Sequence, residues 1–344
     1  MSSVPTLTAD DLVSSPAWLP LEVTPAQTVR LIQLDEAAYR AASFLDQRLL
    51  GMGHREATCG VGVLDAAATR LARPGRYIFH LGHVGSTLVS RLIGARERFF
   101  CLREPALLRP LAALSPAATA RGPALDVALA VLGRTWRPGQ CAVLKVTSFV
   151  SELAEPILNA DGRAVAVFMF VRPLAYLRSI LAGPNSRVES RQLAPARLQR
   201  LVRRVGASEW REDPRSEGEA IAMSWLCEMA ALHQAALSSA RQVVWVDFDA
   251  FLADPRTGLQ IIFRALGDSP AAADIEALVA GALMRQYSKA PEHSYDAELR
   301  RLVLASADAE HSAEIRLGLT WLQRVAMRHR LIEEILGRAV REGA

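Results

Sequence analysis

Five short apolar runs punctuate the chain between longer helical patterns: RYIFHLG (76–82), RFFCLRE (98–104), CAVLKV (141–146), AVAVFMFVR (164–172) and QVVWVDFD (242–249). Most do not alternate apolar and polar residues, as a strand with one wet face would. A near-continuous apolar strand is buried on both faces, the condition of a parallel sheet covered by helices. The pattern predicts an α/β fold of three layers, with a central, mostly parallel five-stranded sheet and an α-helical C-terminal tail. Helices are expected from Gly85 to about Ala95, up to about Arg134, over roughly 148–160, 174–182 and 216–240, and after 249 to the end. The turn signal Arg73-Pro74-Gly75 is the strongest boundary. It separates residues 1–73, read as a helical and irregular extension with its clearest helix around 35–50, from an α/β domain with a helical C-terminal region over 74–344. Residues 183–197 (GPNSRVESRQLAPAR) read as a loop, the candidate lid or acceptor wall, with Asn185, Arg187 and Arg191.

With 344 residues, 51% of them hydrophobic, the chain can bury a sizeable core. A net charge of +4, spread without a long basic block, gives nucleic-acid binding little support and suits a small anionic ligand. The longest apolar run, 164–171, is strand-sized, so no membrane span is expected. The polar N-terminus does not read as a signal peptide. Cys59, Cys101, Cys141 and Cys227 lack CxxC spacing, which argues against zinc and a disulfide framework and makes the cytoplasm the default. Of the 40 basic residues only Lys145 and Lys289 are lysines. A lysine kept in so arginine-biased a chain draws notice, although chance explains it equally well.

The first run leads into FHLGHVGSTLVSR (79–91). A strand, a tight turn and a helix N-terminus make an anion site, because free amide N–H groups and the helix dipole point the same way. Gly85 admits an oxyanion close to the backbone, and Ser86 and Thr87 add hydroxyls. An ordinary Ser/Thr helix cap is the bland alternative. The Walker A pattern is not met: its first glycine falls on His80 and its lysine on Ser86.

HVGSTLVSRLI resembles the 5′-phosphosulfate loop of the sulfotransferases. VFMFVRPLAYLRSIL (167–181) resembles that family's second motif, and VVWVDFDAFLADPRTGLQIIFRALG (243–267) its late segment. The three stand in the family's order and cover roughly 76–267. The resemblance implies a P-loop-like fold that binds 3′-phosphoadenosine 5′-phosphosulfate (PAPS), with no required metal, and moves its sulfuryl group to a hydroxyl or amine of an unknown acceptor. It would place the donor on Gly82, His83, Val84, Gly85, Ser86 and Thr87, and its 3′-phosphate on Arg172 and Ser179. Arg178 is an alternative contact. The motif lacks the residue that the family has between Arg and Pro, which puts Ser179 one position early. His83 stands where the family has Arg or Lys. Lys289, in a late polar loop, would be a further 3′-phosphate contact or a plain surface lysine.

Sulfuryl transfer needs a base for the acceptor's proton and a cation or proton donor for the leaving oxygen. Glu104 is the candidate base, at the C-terminal end of its strand, where open α/β sheets bind ligands. A structural pair with Arg103 or Arg109 is the alternative. His83 and Lys145 are the candidate catalytic cations, and Ser148 an assistant. Trp225 reads as packing under the sheet in preference to stacking on adenine. The stretch 313–340 reads as a packed amphipathic helix, with a membrane-surface helix as the rarer case. Two other functions stay open. One is a P-loop kinase or NTPase, for which Asp247 and Asp249 would be Walker-B-like acids. The other is a non-catalytic descendant that binds nucleotide or a protein partner.

Overall fold

The computed structural model describes residues 4–114, 118–119, 121–206, 208, 210–239, 243–286 and 296–343. Its strands are β1 (Trp18–Val23), β2 (Thr28–Gln33), β3 (Glu56–Gly60), β4 (Arg76–His80), β5 (Phe99–Arg103), β6 (Cys141–Lys145), β7 (Val165–Phe170) and β8 (Val243–Asp247). The last five are the apolar runs. They form one sheet in the order β5-β6-β4-β7-β8, and every neighbouring pair is parallel. Phe79, Phe168, Phe170 and Trp245 interlock across it edge to face, with ring centroids 5.1 to 5.8 Å apart. The strand order reverses at β4, so the crevice beyond its C-terminal end is the topological switch point, where such sheets bind ligands.

Residues 1–73 depart from expectation. They carry an antiparallel sheet, β1-β2-β3, beside the short helices Ala9–Ser14, Glu36–Ala41 and Val61–Ala68. Its two faces serve two cores. Val29 and Leu31 of β2 join Leu7, Leu12, Trp18 and Leu64 in a small cluster, while Ile32, Leu19 and Leu21 join the main core. The sequence hid β1 because Pro20 interrupts it, and the register indeed slips between Pro20 and Glu22. The helix expected over 35–50 is only Glu36–Ala41, followed by a 3-10 turn at Gln47–Leu49 in which the Asp46 carboxylate accepts from the Arg48 amide.

The helices that build the site are α1 (Ser86–Gly94), α2 (Pro173–Leu181), α3 (Pro184–Val205), α4 (Glu217–Ser238), α5 (Phe248–Ala253), α6 (Ala297–Ala326) and α7 (Arg330–Glu342). The stretch 183–197, expected as a loop, is the first half of α3. Pro184 at its first turn has no amide to leave unpaired, and Pro195 inside it gives up the bond to the carbonyl of Arg191. α4 is buried on nearly all sides, and the Trp225 indole donates to the Val171 carbonyl at 2.9 Å. Its role is packing. The C-terminal stretch folds as the ends of two helices, broken at 327–329, with Trp321, Leu322, Val325, Ile332 and Ile335 in the core. Among the described residues no helix is long and apolar enough to cross a membrane.

Candidate active site

A cavity of about 1270 Å³ opens at the C-terminal ends of β4 and β5. The whole loop Gly82-His83-Val84-Gly85-Ser86-Thr87 lines it, together with Glu104, Ser148 and Ser179. Three of the loop's first four residues are left-handed: Gly82 at φ 86°, His83 at 55° and Gly85 at 65°. Successive turns of that hand gather amide N–H groups into a concave anion nest, here at the N-terminus of α1. Gly85 is the one residue its place admits, since a Cβ there would lie 2.0 Å from the Phe248 ring. Thr87 is 3% exposed, and its Oγ1 has no hydrogen-bond partner among the described residues. That orphan donor, within the nest, fits an anionic oxygen.

His80 is a strut for this loop. Its Nδ1 accepts from the Gly82 amide at 3.0 Å, so Nε2 carries the proton and donates to the Val146 carbonyl at 2.8 Å. His83 leans instead on α3: its Nδ1 lies 3.4 Å from Ser186 Oγ and its Nε2 3.6 Å from Glu189 Oε2.

Glu104 and Lys145, singled out separately in the sequence, are partners. Lys145 Nζ hydrogen-bonds Glu104 Oε1, and the Glu104 amide donates to the Lys145 carbonyl at 2.7 Å. The lysine side chain is fully buried behind the glutamate, while Glu104 faces the cavity. Glu104 also holds a left-handed backbone, φ 53°, which costs a non-glycine residue about 1–2 kcal/mol. Such strain persists only where surrounding bonds over-determine it. The alternative partners are occupied elsewhere. Arg103 donates to the carbonyls of Tyr39, Arg40 and Ala42, at the end of Glu36–Ala41, and burial brings its guanidinium down to about 10. Arg109 binds Asp46 at 2.9 Å and Thr147 at 3.3 Å.

No protein-family model and no curated protein matches the chain. Two solved structures are similar to it in shape. One is a sulfotransferase from Alicyclobacillus acidocaldarius, 16% identical, covering 72% of this chain and 97% of its own, with a TM-score of 0.37. The other is the sulfotransferase domain from the curacin biosynthetic pathway, 13% identical, covering 71% of this chain and 89% of its own, with a TM-score of 0.37.

The remaining sequence candidates scatter. Ser179 lines the cavity, its hydroxyl donating to the Ala175 carbonyl at 2.8 Å. Arg172, seven residues earlier, does not line it. Its side chain is half exposed, hydrogen-bonds the Gly343 carbonyl just past α7, and lies 3.8 Å from Asp247. Arg178 is paired with Asp308, and Arg187 and Arg191 with Glu217. Asn185 does line the cavity. Asp247, whose carboxyl burial pushes up, caps α5 through the amides of Asp249 and Ala250. Asp249 is bound to Arg300 at 2.8 Å. Both Walker-B-like acids are therefore committed. Lys289 lies outside the described residues.

Sequence reasoning missed several walls. Phe44, Asp46 and Arg48, from the N-terminal extension, line the cavity, and Arg48 stacks over the Phe44 ring at 3.5 Å. The Leu45 backbone pairs with Arg103 and Ala106 at 2.8 and 3.0 Å, and so brackets Glu104. Arg300 of α6 lines the cavity with its guanidinium 5.3 Å from the Phe248 ring. The helix expected around 35–50 hid the first group, and nothing local marked Arg300.

Proposed function

We propose that the chain transfers a sulfuryl group from PAPS to a hydroxyl or amine of an acceptor. The observation that carries this reading is one cavity shared by an anion nest without a Walker lysine and a carboxylate braced by a buried lysine. Ser86, Thr87 and the amides of the loop would hold the 5′-phosphate and sulfate oxygens, and His83 would stand beside them. Glu104 takes the proton of the attacking acceptor oxygen or nitrogen. That atom bonds to sulfur as the bond from sulfur to the 5′-phosphate oxygen breaks, and the loop N–H groups receive the charge left on the phosphate. Lys145 fixes Glu104 in one orientation. Arg172 at the N-cap of α2 and Ser179, two turns on along the same face, would take the 3′-phosphate, which would replace the Gly343 carbonyl as the partner of Arg172. The cysteines are all free, and we place the activity in the cytoplasm.

Calorimetric binding of 3′-phosphoadenosine 5′-phosphate (PAP), the desulfated product, tests the reading, with Mg·ATP alongside. PAP is expected to bind, and Gly85→Ala to abolish binding by closing the nest. Binding of Mg·ATP without PAP would overturn the proposal in favour of a kinase.

A further inference from the structure

The loop and Glu104 leave one wall of the cavity unused. α3 presents Ser186, Glu189, Ser190, Leu193 and Arg197 to it, a spacing that puts all five on one helix face. Two of them carry unmet hydrogen-bonding capacity. Ser190 is 4% exposed, and its Oγ has no partner among the described residues. Arg197 is also 4% exposed; its Nε donates to Glu228 Oε1 at 2.8 Å, and no described residue binds its two Nη groups. The charges behind it do not balance either. Arg197, Arg200, Arg203 and Arg204 face Glu228 and Glu152, four guanidiniums against two carboxylates. A guanidinium buried in excess of its counter-charges is costly unless another anion arrives.

We propose that the acceptor carries an oxyanion, a carboxylate or its like, which the Nη fork of Arg197 and the Ser190 hydroxyl bind. This rests on the sulfuryl-transfer reading and names the class of its acceptor. The planar fork of arginine matches a carboxylate two bonds at a time. The loop cannot share this anion. Ser186 and Glu189 are the α3 residues beside His83, and Arg197 lies eight residues beyond Glu189, about 12 Å along the helix. An oxyanion cradled at Gly85 therefore sits toward the opposite end of this helix face from Arg197. The face between them, with Leu193, offers apolar contact to the body of the acceptor.

The test uses the full chain saturated with PAP, and two matched probe pairs: 4-hydroxyphenylacetate and 3-hydroxybutyrate, each against its methyl ester. Each acid is expected to bind about tenfold or more tightly than its ester, the strength of hydrogen bonds to a charged group. Arg197→Gln should erase that preference with PAP affinity unchanged. Ser190→Ala, which deletes a hydroxyl with no partner to lose, should fold normally and reduce the preference severalfold, so the test survives a poorly folding Arg197 variant. Acid and ester bound equally, neither bound, or a preference that outlasts Arg197→Gln would overturn the proposal. Weakened PAP binding in Arg197→Gln would also overturn it, by assigning the fork to the donor. An acid preference in a chain that binds no PAP would leave the anion subsite standing and remove the transfer reading alone.

Discussion

The C-terminal edge of the central sheet has two halves, and they treat charge in opposite ways. At the ends of β4, β5 and β6, His80, Glu104 and Lys145 are buried and bonded from strand to strand. At the ends of β7 and β8, Arg172 is half exposed and its partners are the Asp247 carboxylate and a carbonyl near the C-terminus. The first half is pre-set, with donors and acceptors oriented before any ligand arrives, the arrangement that favours stabilisation of developing charge. The second half can exchange one partner for another at little cost, since solvent screens its pairs. In the proposed function the first half carries the proton transfer and the second takes the 3′-phosphate.

Four measurements can break or sharpen that contrast. Glu104→Gln should lower kcat about 10²–10⁴-fold, the range of general acid–base catalysis, with PAP affinity within twofold of the parent. A loss of PAP affinity in step with kcat would instead make Glu104 part of the donor site. Lys145→Met strands a buried carboxylate and should destabilise the fold by about 3–5 kcal/mol in urea. A stability change below about 1 kcal/mol would show that the pair is not held as described. Arg172→Ala should leave stability within about 0.5 kcal/mol, as for most surface sites, while weakening PAP about tenfold. If it lowers Tm and spares PAP, Arg172 is a tether for α7 and nothing more.

The smallest effect concerns acid. Burial alone would raise the Glu228 carboxyl, but the Arg200 and Arg197 guanidiniums outweigh it and hold the group below its ordinary 4.5. Glu152 is depressed by the same contest between burial and Arg204 with Arg200. The unfolded chain therefore takes up these protons first as pH falls. The stability they contribute is complete above about 4.5 and drains away below it, down through the folded-state values. Denaturant midpoints between pH 7 and 3 should be flat at first and then fall. A midpoint that rises on acidification would contradict the network.

Legibility followed the same division. The five strands could be read because both faces of each are buried, which removes every reason for polar residues along them. The nest could be read because tight turns and helix starts demand Gly, Ser and Thr at fixed places. The union of Glu104 with Lys145 could not, since β5 and β6 become neighbours only through tertiary register, Arg103 opposite Lys145. β1 was masked by Pro20. α3 was masked by Pro184, Pro195 and a polar composition, and Arg197 and Arg200 hold it to α4 through Glu228. Arg300 reaches the cavity from α6, far along the chain, and no local pattern announces such a residue.

The strand that leads into the nest has a peculiar place in time. β4 pairs only with strands that follow it: Tyr77 with Leu144 of β6, and Arg76 with Val165 of β7. During synthesis its apolar residues emerge with nothing to pair with until more than half as many residues again have been made. β1, β2 and β3 find their partners within residues 18–60 and can form at once. Long-range parallel pairing is intrinsically slow and leaves strands open to wrong partners meanwhile. The N-terminal sheet, whose second face joins the main core, offers the late sheet an apolar surface made of local contacts. Deleting residues 18–60 should reduce the yield of folded chain, and it also removes Phe44, Asp46 and Arg48 from the cavity wall.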